Sequence, residues 1–394
     1  MALLFSNYLK QNTMKRAMLI GTVVAFTLLS GSAFSQTSNE KLIQKLVDKN
    51  ILTQEEASQL LSTEKTKEKA PEGQFQGLIR KGFNTPYLSF GGYGMLMYQY
   101  NSQATAHNDL RPRALFLWME GKLNDHFRYF IMPEFVSPTL YEYYAEWMPS
   151  TAFKLRAGQF KVPFTLENPI SLVNLESVQN TRTVASLAGM SSDVGVNNGA
   201  GRDIGVQACG SFAKIGDHDL IQYSVGVFEG TGINTKENNN VKDFAGTLAV
   251  QPVKGWRVAG GLYAGQSPYT KTGESASANH VRNRWALSSD YTSNRIYARA
   301  EWVHGNDGGI EREGVYGMGS YYFVPKKVNA FARLDHYEND KSLDQKVMDY
   351  SAGVNYYFAP LCRFQLNYQY SDYSTEWSGK KDTHMLLGEL QLFF

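Results

Sequence analysis

Arginine recurs at alternate positions along this chain. Arg111 and Arg113 are separated by one residue, as are Arg282 and Arg284, while Arg128, Lys154, Arg156, Arg299 and Arg333 stand in stretches that alternate polar with apolar residues. A guanidinium is planar, permanently charged and able to grip a carboxylate or phosphate through two parallel hydrogen bonds, so the chemistry on offer is anion recognition. In an extended chain, residues two apart share a face. Acids occupy the same faces: Glu134, Glu142, Glu146, Asp290, Glu301, Asp335 and Glu389. Two outcomes are therefore open for each arginine. It presents its charge to a passing anion, or it pairs with a carboxylate on a neighbouring strand. The same-sign neighbours Arg111/Arg113 and Arg282/Arg284 favour the first outcome, because like charges side by side leave their field uncompensated.

Other chemistries find little support. The seven histidines (His107, His126, His218, His280, His304, His336 and His384) occur in no H-E-x-x-H pattern, and no serine sits in a G-x-S-x-G context, so hydrolytic machinery is not indicated and no metal or cofactor is expected. Gly199-Ala200-Gly201 runs into a strand at Ile204-Gly205-Val206, whereas a phosphate-cradling glycine loop must open a helix. The segments 231–242 and 267–279 are hydrophilic and lack the aromatic clusters of a receptor hot spot. Cys209 and Cys362 read as small apolar residues, not as a disulfide.

The elements that must position the arginines are strands. Leu386, Gly388, Leu390, Leu392 and Phe394 alternate with Glu389 and Gln391, giving one face suited to lipid and one suited to water. Similar segments recur at 87–100, 110–123, 126–136, 140–149, 152–162, 201–212, 219–230, 243–251, 256–266, 280–291, 294–305, 313–323, 327–338, 347–358, 362–372 and 382–394. Parity is plain in 141–148, where Tyr141, Tyr143, Ala145 and Trp147 oppose Glu142, Tyr144, Glu146 and Met148. It is equally plain in 294–303, where Arg295, Tyr297, Arg299 and Glu301 oppose Ile296, Ala298, Ala300 and Trp302. Tight connections such as Asn124-Asp125 and Thr292-Ser293 alternate with longer ones, the exceptions being a short Ser137-Pro138-Thr139 and a longer 213–218. Sixteen segments with this alternation, and 13% aromatic residues to furnish interfacial girdles, predict an all-β transmembrane antiparallel barrel over 78–394. A barrel of about sixteen strands is too wide for side chains to fill, which leaves a water channel. The long connection 163–200 is the expected constriction, with Arg182 its sole internal basic residue.

Ahead of the barrel, Lys15 and Arg16 precede an apolar run from Ala17 to Leu29 and then small residues to Ser35, the pattern of a signal peptide over 1–35. Its removal takes away three positive charges and no acid, turning a formal +2 into −1, so bulk charge argues against a nucleic-acid partner. Residues 36–77 read as a short periplasmic helical hairpin, with the capping box Thr53-Gln54-Glu55-Glu56, followed by a flexible tether.

The run Gly158-Gln159-Phe160-Lys161-Val162-Pro163-Phe164-Thr165-Leu166-Glu167-Asn168, followed after the long connection by Gly201-Arg202-Asp203-Ile204-Gly205-Val206, resembles the phosphate-selective porin O and P family. Arg111-Pro112-Arg113 opening a strand that closes with Glu120-Gly121-Lys122-Leu123 extends the likeness. The resemblance implies a trimeric outer-membrane porin, seated in outer-membrane lipid, that passes small anions such as phosphate. It matches Lys161, Arg111 and Arg113 to the family's basic residues and Glu167 to its motif acid. The expected anion-binding set is Arg111, Arg113, Arg128, Lys154, Arg156, Lys161, Arg182, Arg282, Arg284, Arg299 and Arg333. General, weakly selective diffusion is the alternative, with a barrel enzyme or surface receptor behind it.

Overall fold

The computed structural model describes residues 85, 87–190, 192–194, 199–271 and 274–394; the signal peptide and the hairpin expected over 1–77 lie outside them. Sixteen strands follow one another around a closed antiparallel barrel. They are β1 (Ser89–Asn101), β2 (Asn108–Asn124), β3 (Phe127–Glu134), β4 (Thr139–Trp147), β5 (Lys154–Lys161), β6 (Arg202–Ile215), β7 (His218–Phe228), β8 (Asp243–Val253), β9 (Trp256–Tyr269), β10 (Ala278–Thr292), β11 (Ile296–Asp307), β12 (Ile310–Val324), β13 (Val328–Asp340), β14 (Gln345–Ala359), β15 (Cys362–Tyr373) and β16 (Thr383–Phe393). Each coincides with one of the expected segments. Closure runs from Tyr93↔Phe393 to Asn101↔Met385, and Gly92 and Phe394 exchange both of their backbone hydrogen bonds. A side chain at Gly92 would meet the Phe394 ring at 2.6 Å and the Phe116 carbonyl at 2.7 Å, so glycine is what lets this seam close.

Burial is inverted relative to a water-soluble β-sandwich. In β13, Leu334 is 55% exposed while its neighbours Arg333 and Asp335 are buried; in β15, Leu366 is exposed while Gln365 and Asn367 are buried. Apolar side chains thus point outward and polar ones inward, the only arrangement a hydrocarbon solvent tolerates.

Bulges adjust the simple parity. In β2, Met95 pairs with Ala114 and Leu96 with Pro112, leaving Arg113 as the extra residue. Ala114 and Phe116 therefore face inward, and Leu115 and Leu117 face lipid. A second irregularity, between Met132 and Pro133, frees Tyr141 from the outward row expected for it. Its ring packs edge-on against buried Phe116 at 4.8 Å. Several connections are shorter than expected, two of them most of all: β6 runs to Ile215 and β7 resumes at His218, and β11 and β12 meet across Gly308-Gly309, both at positive φ. Cys209 and Cys362 are free thiols.

The wall is uneven. Strands β3, β4 and β5 have 8, 9 and 8 residues, whereas β9 to β15 have 12 to 15. A spanning strand needs roughly 9–11 residues, so the wall is low at β3–β5.

If Leu334 meets lipid, Leu334→Arg will destabilise the folded barrel by about 2–4 kcal/mol, the cost of an arginine near the bilayer midplane. Folding titrations in lipid vesicles, read by the heat-modifiable band on gels, measure this. A neutral effect, normal for an exposed leucine in water, would contradict the membrane assignment.

Candidate functional site

The described residues of the connection between β5 and β6 (162–190, 192–194 and 199–201) fold into the barrel and carry a short helix, α1 (Arg182–Leu187). Its stem is tied by the motif residues. Lys161 Nζ donates to the carbonyls of Asn168 (2.7 Å) and Ile170 (2.5 Å). Asn168 Nδ2 donates to the carbonyls of Val162 and Gly201, both at 2.9 Å, joining the two ends of the connection. Gly201 has φ +68°, and a Cβ there would stand 1.9 Å from Asn168 Oδ1, so this position needs glycine.

Further in, Glu167 accepts from Thr181 N (2.8 Å), Thr181 Oγ1 (3.1 Å) and Asn180 Nδ2 (3.2 Å) within the loop, and from Arg299 Nη2 (2.8 Å) on β11. Burial by itself would raise its pKa, but the guanidinium of Arg299, then that of Arg333, together with these hydrogen bonds hold it below the usual carboxylate range. Glu301 accepts from the backbone amides of Leu166 (2.7 Å) and Glu167 (2.9 Å) and from the Tyr316 hydroxyl (2.6 Å).

The far side of the loop is held the same way. Thr181 caps α1 by accepting from Val184 N, Thr183 Oγ1 donates to Asp335 (2.6 Å), and Arg182 Nε donates to Asp349 (2.7 Å). Arg333 donates to Ser177 Oγ (2.8 Å) and the Gln179 carbonyl (2.9 Å), and Arg113 to the Val178 carbonyl (2.6 Å). Asn355 and Gln365 donate to the Glu176 carbonyl, and Arg284 to the Leu187 carbonyl. Phe164, Val184 and Leu187 pack with Val303, Tyr316, Tyr337 and Val347, giving the loop an apolar anchor as well.

Against this geometry the expected anion-binding residues divide into two sets. Lys161, Arg282, Arg284, Arg299 and Arg333 hold the loop or the wall together. The uncompensated field expected from Arg282 and Arg284 is corrected by their partners: Arg282 pairs with Asp243 (2.7 Å), and Arg284 with Asp193 (2.5 Å) and Asp307 (2.9 Å). Asp243 lies two strands away and Asp193 in the loop, beyond what parity along one strand reveals.

The second set, Arg111, Arg113, Arg128, Lys154, Arg156 and Arg182, keeps contact with water, Arg113 and Arg182 while also fastening the loop, and Arg257, which parity after Trp256 would have found, joins it. Arg111 pairs with Asp109, and both are exposed. In the other pairs the arginine is the exposed member: Arg113–Glu389 at 18% and 0%, Arg128–Glu146 at 31% and 1%, Arg156–Glu146 at 23% and 1%, Arg182–Asp349 at 25% and 2%, Arg257–Asp290 at 33% and 4%. Arg202–Glu142 reverses this order, at 9% and 15%.

Two cavities flank the loop. One of about 590 Å³ is lined by Arg113, Arg182, Asp349, Tyr373, Trp377 and Lys380 among others. The other, about 440 Å³, lies between loop residues Thr165, Leu166, Pro169 and Ile170 and wall residues that include Lys154 and Arg257.

Two predictions follow from the loop's fastening. Glu301→Ala leaves two loop amides without acceptors, a loss of about 1–3 kcal/mol for each, so single-channel conductance should rise as the loop loosens; unchanged conductance would mean that the remaining contacts suffice. Because Glu167's pKa is lowered in the folded state, its contribution to docking is complete above the usual carboxylate pKa of about 4.3 and declines as pH falls through the lowered value. Conductance fluctuations should therefore grow in acid, and Glu167→Gln should abolish that pH dependence.

The profile of the family described as phosphate-selective porin O and P matches residues 91–394. Among curated proteins none matches the sequence. Among solved structures, the fold is similar to that of the anion-selective porin from Comamonas acidovorans, at 12% identity and a TM-score of 0.58, covering 78% of this chain and 99% of that one. It is also similar to in-vitro folded OmpT of Vibrio cholerae in its trimer form (12%, 0.56, 78% and 99%) and to Salmonella typhi OmpF in complex with daunomycin (13%, 0.57, 77% and 97%). Family and fold point to a channel and not to an enzyme, and place it in the outer membrane. With its closed sixteen-strand barrel, inward loop and family match across 91–394, this chain belongs to the phosphate-selective porin O and P family of outer-membrane porins.

Proposed function

We propose that this porin passes small anions by preference, phosphate among them, through a lumen whose ion pairs are polarised toward water. The observation that carries the reading is the asymmetry of those pairs. At Arg113, Arg128, Arg156, Arg182 and Arg257 the guanidinium reaches the water while its carboxylate is sunk into the wall. A solute then meets positive charge at close range even though the pairs are formally neutral, because interaction energy falls with distance and is screened least next to low-dielectric walls. Lys154 adds a cation to the second cavity. Guanidinium suits phosphate through its planar fork. Arg202–Glu142, whose carboxylate is the more exposed, favours the second reading of weakly selective diffusion.

The low wall at β3–β5 supports association with further copies, and a homotrimer in outer-membrane lipid is the assembly we propose, in line with the trimer form of the Vibrio cholerae protein. Residues 1–35 are taken to be removed on export, near Ser35, and 36–77 to stand on the periplasmic side.

The test is the zero-current potential across a planar bilayer under a salt gradient, repeated with phosphate on one side. Anion preference is expected, and the double variant Arg128→Gln/Lys154→Gln, which leaves Glu146 its pairing with Arg156, should bring the permeability ratio toward one. A cation-preferring parent channel, or an unchanged ratio in the variant, would overturn the reading.

A further inference from the structure

We propose that the 590 Å³ cavity is a binding vestibule for an anionic carbohydrate, meaning a sugar that bears a phosphate or carboxylate group; the inference rests on the anion-conducting reading above and names its solute class.

Three observations point there. The first is size. At about 590 Å³ the cavity is far larger than an inorganic oxyanion and falls within the roughly 300–1,000 Å³ of small-molecule sites.

The second is the aromatic wall. Trp377 and Tyr373, both partly exposed, stand edge to face at 5.5 Å and 74°, and buried Tyr337 backs Trp377 at 6.3 Å. Such flat apolar faces contribute nothing to binding a hydrated inorganic ion, but they match the C–H face of a pyranose ring. They are also held in place. Trp377 N donates to the Ser374 carbonyl, Lys380 N to the Trp377 carbonyl, and Ser374 Oγ to the Asp344 carbonyl (2.8 Å). A platform fixed in advance loses little entropy on binding.

The third is the placement of charge beside those faces. The Arg182 guanidinium lies over the Tyr373 ring, 5.4 Å from its centre, and the Lys380 ammonium over the Trp377 ring at 5.8 Å, so each cation is held against one face of a ring. A sugar stacked on the rings would carry its anionic substituent onto one of these cations or onto Arg113. The amides of Gln369 and Asn339 line the same space and can exchange hydrogen bonds with ring hydroxyls.

Glucose 6-phosphate, glucose and inorganic phosphate are the probes, each added to the side of the longer connections, which carries Trp377, of channels reconstituted in a phosphatidylcholine bilayer free of glycolipid, with block of ion current as the readout. Glucose 6-phosphate should half-block the current at a concentration at least about tenfold below either of the others, a tenfold difference being about 1.4 kcal/mol. Trp377→Ala should bring the ratio of half-blocking concentrations for glucose 6-phosphate and phosphate toward one, and Trp377→Phe should restore most of it. Equal block by glucose 6-phosphate and phosphate would overturn the proposal, as would a ratio that Trp377→Ala leaves intact. Should Trp377→Ala yield no channels, the parent ratio and that of Trp377→Phe decide. The zero-current potential of the same channels separates the two claims: anion preference without sugar-phosphate discrimination sinks the vestibule alone, and cation preference with discrimination sinks the selectivity reading alone.

Discussion

Hydrocarbon offers a polypeptide no hydrogen bonds, and the rest of this molecule follows from that constraint. A sheet in lipid cannot keep an edge, because each unpaired amide and carbonyl would cost several kcal/mol, so β1 must find β16 and the sheet must close. Closure turns the apolar half of every strand outward and collects the polar half inside. A lumen lined by so many arginines, acids and amides then needs partners for them, and the inward loop supplies many. Its carbonyls at Glu176, Val178, Gln179 and Leu187 and its amides at Leu166 and Glu167 take up wall side chains that would otherwise face one another or trap water.

The same economy explains why formal charge is a poor guide to this pore. Arg299 and Glu167 are both almost wholly buried, as are Arg284 and its two aspartates. Breaking such a pair by removing one partner costs about 3–5 kcal/mol, whereas a pair near water contributes little to stability. Buried pairs are therefore mechanical parts that fix where the loop lies. Pairs such as Arg128–Glu146 and Arg257–Asp290, whose arginine alone reaches water, are the ones that set the field in the function proposed above. One residue type performs both duties, and burial tells them apart.

Strand existence was legible in the residues because lipid enforces a period of two without compromise, and the sixteen segments could be placed to within a few positions. Where the reading slipped, a local event had reset that period. The extra residue at Arg113 and the irregularity opposite Pro133 each exchanged lipid and lumen for what followed, and no single-strand pattern announces a bulge. The site was legible only in part. Parity found most lumenal arginines and, in Glu146, Asp290 and Glu389, some of their partners, but not Asp243 and Asp193, which approach from a second-neighbour strand and from the loop. The motif lysine and acid were recognised as a unit, yet what they do is fold the loop, with Lys161 gripping two carbonyls and Glu167 spanning from Thr181 to Arg299.

The seam between β1 and β16 also governs how the barrel comes to exist. Tyr93 pairs with Phe393 at a separation of 300 positions, so until β16 arrives every intermediate carries two open edges. Contacts this distant in sequence form slowly, and open edges invite pairing between chains. A chain built this way must be kept apart from its fellows until its two ends meet.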